Sequence, residues 1–89
     1  MDPTIQINQR VSVVAVYRKK GEPTELCMPV KMKFGNKEIT FSELGLRHPT
    51  TAGKRMVHIF DMSDGNSDYR LEFDAEALTW TLISQIDNP

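Results

Sequence analysis

The sequence predicts an all-β fold, a small single domain in which about six antiparallel strands follow one another as a meander and form a barrel or sandwich. Three observations carry this expectation. Apolar and polar residues alternate with period two in several short segments, the pattern of strands with one buried and one wet face. Clusters of Gly, Asn, Asp, Ser and Pro separate these segments at spacings too short for helical crossovers. The length of 89 residues leaves room for one core and no more.

Residues 1–8 read as a flexible start, because Pro3 discourages regular structure. Arg10 to Tyr17 is a β segment rich in valine, and it ends at the charged turn Arg18-Lys19-Lys20-Gly21-Glu22-Pro23. From Leu26 the chain extends again. Val30, Met32 and Phe34 alternate with Lys31 and Lys33, giving one core face and one cationic face. Pro29 has no N–H, which places the beginning of this strand at an edge or a bulge.

Gly35-Asn36-Lys37 reverses the chain into a short strand in which Ile39 and Phe41 alternate with Glu38 and Thr40. Ser42-Glu43-Leu44-Gly45 is long enough to close one helical turn and no more. Leu46 to Lys54 shows no apolar period and reads as the longest loop, the first place to look for a site.

The pattern is densest in residues 55–86. Met56-Val57-His58-Ile59-Phe60 is β-branched and aromatic, Ser63 to Ser67 is a cluster of turn formers, and Tyr69, Leu71 and Phe73 alternate with Arg70, Glu72 and Asp74. Asp74-Ala75-Glu76-Ala77 reverses the chain once more. Leu78, Trp80 and Leu82 then alternate with Thr79 and Thr81 as a third strand. A helix capped by Asp74, with Leu78, Leu82 and Ile86 on one face, is the competing assignment for residues 78–86, and Thr-Trp-Thr favours the strand. The expected core is Val11, Val13, Val30, Met32, Phe34, Ile39, Phe41, Tyr69, Leu71, Phe73, Trp80 and Leu82, with Trp80 at its centre.

Register decides which side chains of the 55–63 segment enter that core. A two-residue Asp64-Gly65 turn would set Asp61 against Asp68 and His58 against Leu71. A longer loop avoids the like charges and puts Ile59 opposite Leu71, Val57 opposite Phe73 and His58 opposite Glu72. It therefore predicts burial of Val57 and Ile59, with His58 at least partly exposed.

The order of strand, Gly turn, short strand, polar loop, hairpin and closing Trp-x-Leu, here Val30 to Phe41 and then Val57 to Leu82, resembles that of small bacterial domains of uncharacterised function. The resemblance implies a small β fold and no chemistry.

Composition narrows the class further. With 39% hydrophobic and 26% charged residues the chain is that of an ordinary folded globule. No apolar run approaches the roughly 20 residues needed to span a bilayer. The start Met1-Asp2-Pro3-Thr4-Ile5-Gln6 has neither a basic nor an apolar signal region, and Cys27, the single cysteine, has no intrachain disulfide partner. Both features point to the cytoplasm. The net charge of −1 hides a division: through Arg55 ten basic residues face five acidic ones, and from Met56 onward one faces seven. Either strands of opposite charge neutralise each other within one sheet, or the molecule is dipolar and presents a basic face to an anionic partner or to its own copies.

Four groups of residues invite a chemical reading. The basic residues Arg18, Lys19, Lys20, Lys31, Lys33, Arg47, Lys54 and Arg55, with His48, form the candidate surface for an anion or a partner. A nucleic-acid reader would interleave such cations with exposed aromatics, whereas Tyr17, Phe34 and Phe41 fall on core faces, and the sequence pI of about 6.1 is not basic. Thr50-Thr51-Ala52-Gly53-Lys54 lacks the earlier glycine and the following Ser or Thr of a phosphate loop. Asp61 to Asp68 is dense in oxygen ligands but departs from the EF-hand spacing. His48, His58 and Cys27 lie in separate elements, without the local spacing of a zinc site or an activated thiol, and Cys27 reads as a small apolar filler.

With no constellation of acid, base and nucleophile, the expected function is non-enzymatic. It is the binding of a protein partner or of a second copy, through the sheet edges near Pro29 and the stretch 46–54. Neither cofactor nor metal nor membrane is expected. Nucleic-acid binding through the basic first half is the alternative.

Overall fold

Alternating segments and tight turns produce seven strands in the computed structural model, which describes residues 4–17 and 27–87 except for the side chains of Tyr17, Cys27, Leu46, His48 and Ala52. They are β1 (Thr4–Tyr17), β2 (Cys27–Phe34), β3 (Lys37–Thr40), β4 (Glu43–Ala52), β5 (Arg55–Ser63), β6 (Ser67–Asp74) and β7 (Thr79–Asp87). All pairings are antiparallel and form one sheet of order β3-β2-β1-β7-β6-β5-β4, curled into a half-barrel. No helix among the described residues is long and apolar enough to cross a membrane.

The curl follows from the connections. β1 is long enough to serve two partners: its first part pairs with β7, from Thr4 opposite Ile86 to Val11 opposite Trp80, and its second part pairs with β2. β3 and β4 stand at opposite ends of the sheet order, yet only Phe41 and Ser42 join them. The Phe41 N–H donates to Val30 O at 2.9 Å and the Ser42 N–H to Ser63 O at 2.7 Å, so the linker is held to β2 on one side and β5 on the other.

Several expectations hold. Residues 79–86 are strand and not helix, and the bulge expected near Pro29 occurs where the β1–β2 register shifts between Val14 and Ala15. Others are corrected. The first strand starts at Thr4, within the stretch expected to be flexible, because β7 supplies a partner there; Asn8, at φ 52°, takes up the register shift between Gln6 and Gln9. The expected helical turn at 42–45 and loop at 46–54 are instead mostly β4. That strand lies at the end of the sheet with Pro49, Thr50 and Thr51 exposed, so it needs no apolar period to belong to the ladder. Its turn is Gly53-Lys54, with Gly53 at φ 66°, a conformation open to glycine in the first position of a two-residue hairpin. Leu78 is no strand residue: it closes the β6–β7 turn at φ 57° and is 72% exposed. The basic turn 18–23 lies outside the described residues.

The hairpin register is also corrected. Ser63 pairs with Asp68, which makes Ile59 face Glu72, Val57 face Asp74, and His58 face Phe73. His58, Phe60 and Met62 therefore point inward with Phe73, Leu71 and Tyr69. Asp64 decides this: its Oδ1 accepts the N–H groups of Asn66 and Ser67, each at 2.8 Å, which builds a four-residue loop and displaces the strand by one residue. Val57 and Ile59 are nevertheless buried, as expected, but on the outer face. There Arg55, on the same face as Val57, reaches its partner Asp74 directly across the Val57 position.

The core is built on β5, β6 and β7. Met32, Phe41, Phe60, Met62, Tyr69, Leu71, Phe73, Trp80 and Leu82 form its buried cluster, with Ile7, Val11, Val13, Ala15, Phe34, Ile39 and Leu44 packed against it. Trp80 is central: its ring stacks on Phe73 at 4.5 Å between centroids and meets Phe60 at 5.4 Å. Val30 is half-buried and lies outside this cluster, while Phe60 and Met62 enter it through the shifted register.

Candidate binding site

The outer face of the curled sheet carries a cleft of about 720 Å³, built from β1, β4, β5, β6 and β7. Two rows of register neighbours make it. One runs from Asp61 to Arg70, Ser84 and Gln6; the other runs from Glu43 to Ser63, Asp68, Ile86 and Thr4. Its walls come from the bulged start of β4 and from the first residues of β1. Gly45 stands in that bulge, between Leu44 and Leu46, and a Cβ there would approach the Asp61 carbonyl oxygen to 3.3 Å. The wall is therefore low over the Asp61–Arg70 pair.

That pair is bidentate. Arg70 donates from Nε to Asp61 Oδ1 at 2.8 Å and from Nη2 to Asp61 Oδ2 at 3.0 Å, so each charge neutralises the other and the guanidinium plane is fixed. Asp68 and Glu43, both exposed, have no hydrogen-bond partner among the described residues. The Ser84 residue is only 8% exposed and its hydroxyl is likewise unpartnered, opening into the cleft. The site thus offers two carboxylates without partners among the described residues and a hydroxyl beside Ile83 and Ile86.

The acidic loop next to the cleft is committed to structure. Burial would push the Asp64 carboxyl up, but the N–H groups of Asn66 and Ser67 and the Tyr69 hydroxyl outweigh it and hold the group below the ordinary value. Tyr69 Oη donates to Asp64 Oδ2 at 3.0 Å, and Ser67 Oγ to Asp87 Oδ1 at 2.7 Å. Within the oxygen-rich run 61–68, Asp61 and Asp64 are thus occupied by an arginine, loop amides and a phenol, and no cluster of metal-ligating side chains occurs among the described residues.

The candidate basic surface is distributed across the sheet. Lys31 and Lys33 point outward from β2, with Lys31 Nζ 2.8 Å from Glu38 Oε1. Arg47 is on the opposite, inner face of β4, with its guanidinium carbon 5.8 Å from the centroid of Phe60. Lys54 and Arg55 are at the β4–β5 turn, and Arg55 Nη1 donates to Asp74 Oδ2 at 2.6 Å. Arg18, Lys19 and Lys20 lie outside the described residues, as does the side chain of His48. The register joins Lys31 to Lys33 and Lys54 to Arg55, and it sets the two groups on strands at different places in the sheet.

Sequence reading singled out Asp61 to Asp68 as a run of oxygen ligands but not the cleft, because the cleft residues belong to five separate strands. The one local signal was the Asp61 and Arg70 pair, nine residues apart across a hairpin, and reading it required the four-residue loop.

β4 supplies a second surface. Among the described residues it approaches no strand but β5, leaving one edge of a ten-residue strand open. A two-residue turn makes Ala52 and Arg55 a hydrogen-bonded pair, and alternation then assigns bonded positions to Thr50 and His48. Pro49 and Thr51 accordingly turn their backbone groups to the open edge, where Pro49 has no N–H to offer. Comparison with protein-family models, with curated proteins and with solved structures finds no match to this chain.

Proposed function

We propose that the chain is a non-enzymatic β module that acts by binding a protein partner or its own copy, through a strand added at the open edge of β4. The observation that carries this reading is the ten-residue strand at the end of the sheet order, paired among the described residues on one side only. Natural sheets usually blunt such an edge with charge, a short strand or proline. Here residues 49–53, Pro-Thr-Thr-Ala-Gly, carry no charge, and Pro49 removes one outward donor while leaving Thr51 to offer the next.

The test is the Thr51 amide. Its hydrogen exchange, followed as the concentration of the chain or of a captured protein is raised, should slow when a strand is added, and Thr51→Pro, which removes that N–H, should abolish the complex while the β4–β5 ladder stays intact. Light scattering across a salt series separates self-association from a foreign partner. Complexes that form equally well with Thr51→Pro would overturn the edge reading. Oligonucleotide binding at low salt, lost on reversing Lys31 and Lys33 to Glu, would replace it with a nucleic-acid module.

A further inference from the structure

We infer that the outer cleft is a recognition site for a basic side chain, the lysine or arginine of an extended segment of a protein partner, independent of strand addition at β4. Charge comes first. Asp61 and Arg70 cancel each other in their bidentate pair, so the net charge of the cleft is that of Glu43 and Asp68, two carboxylates without partners among the described residues. The register sets them in one row, with Ser63 between them. Neighbouring strands are about 4.8 Å apart, which puts the two backbones about 10 Å apart and lets both side chains lean toward one cation between them.

Ser84 is the second, independent observation. A hydroxyl on a residue 92% buried ordinarily has a partner within the protein, and one that lacks it keeps contact with solvent. This one has none among the described residues and faces the cleft, on the strand that also carries Ile86, the register partner of Asp68. An ammonium or guanidinium group has several N–H donors and no acceptor, so it is matched by two carboxylates and a hydroxyl lone pair. The long aliphatic stem of either side chain suits Ile83 and Ile86 at the floor. Gly45, on the β4 wall, adds no side chain to the cleft.

The probe is a short lysine-containing peptide titrated into the whole chain and followed by amide chemical shifts, with a glutamate-containing peptide of the same length and spermidine as controls. Saturable shifts should be confined to the neighbourhood of Glu43, Ser63, Asp68, Ser84 and Ile86, and should shrink as salt is raised. Glu43→Gln with Asp68→Asn should weaken binding about fourfold, each exposed charge pair being worth a factor of about two. Ser84→Ala should weaken it further, and thermal melts should show that each variant remains folded. Three results would overturn the inference: no shifts in these residues, equal affinity for the neutralised variant, or a response to spermidine as strong as to the peptide. The Thr51→Pro variant should bind the peptide normally, so failure here and failure of the β4 edge are distinguishable.

Discussion

Tyr69→Phe deletes one oxygen from the floor of the half-barrel and leaves the ring, which packs edge-on to Phe41 at 5.8 Å between centroids, in place. The lost interaction is the hydroxyl's bond to Asp64 Oδ2, and Asp64 is the residue that organises the β5–β6 loop. Hydrogen bonds to charged groups contribute about 1.5–3 kcal/mol, and Asp64 is exposed enough for water to replace part of this, so the expected loss is about 1–2 kcal/mol at neutral pH. At this chain length that lowers Tm by about 4–8 °C per kcal/mol.

The same contact makes a second, sharper expectation. Burial, and after it the Asp64 carboxylate, push the Tyr69 phenol from 10.0 up to about 12. An unfolded chain releases this proton near pH 10 while the folded one retains it. The stabilisation is therefore complete below pH 10, is lost as the pH rises toward about 12, and is at most about 3 kcal/mol for such a shift. In a Tyr17→Phe background, where Tyr69 is the remaining tyrosine, ultraviolet absorbance should show tyrosinate forming only near pH 12. Urea unfolding should show the difference between the parent and Tyr69→Phe shrinking over the same interval. A phenol that titrates at its ordinary value in the folded chain, with no stability difference at neutral pH, would refute the contact and the loop geometry derived from it.

Two other outcomes are expected. Trp80→Ala removes the ring shared by Phe60 and Phe73 and should cost about 3–5 kcal/mol, against a total of about 4–13 kcal/mol for a chain of this length; an unchanged urea midpoint would show that Trp80 is not the centre of the core. Asp74 is held below the usual carboxylate value by the Ala77 N–H first, then by the Arg55 charge and the Glu76 N–H, with burial opposing them; the stability it confers is present above pH 3.8 and lost as the pH falls through its lowered value. Asp74→Asn should flatten that acid limb of the stability curve, and an acid limb identical to the parent's would remove Asp74 as its source.

Local pattern alone made several elements legible. Tyr69, Leu71 and Phe73 are read as a strand face because alternation is a property of consecutive residues, and Gly35-Asn36 and Asp74 to Ala77 are read as turns because their conformational preferences are local. Trp80 and Leu82 followed from the same logic. Three features were not accessible that way. Thr4 to Gln9 became strand because β7, more than seventy residues later, offers it a ladder, and 46–52 became strand because β5 does the same for a segment with almost no apolar face. The side of the sheet taken by Phe60, Met62 and His58 turned on one residue of loop length, set by Asp64 bonding to its own backbone neighbours.

The sequence by itself determined that this is a small antiparallel β meander centred on Trp80, because strand periodicity and turn chemistry are encoded within a few residues of one another. Only the tertiary structure decided where the proposed binding surfaces lie. Glu43, Asp61, Asp68, Arg70 and Ser84 come from four strands and meet through pairing and curl, and the open edge of β4 exists because the linker Phe41-Ser42 brings the two ends of the sheet near each other without pairing them. Both are consequences of long-range register, which no short window of sequence contains.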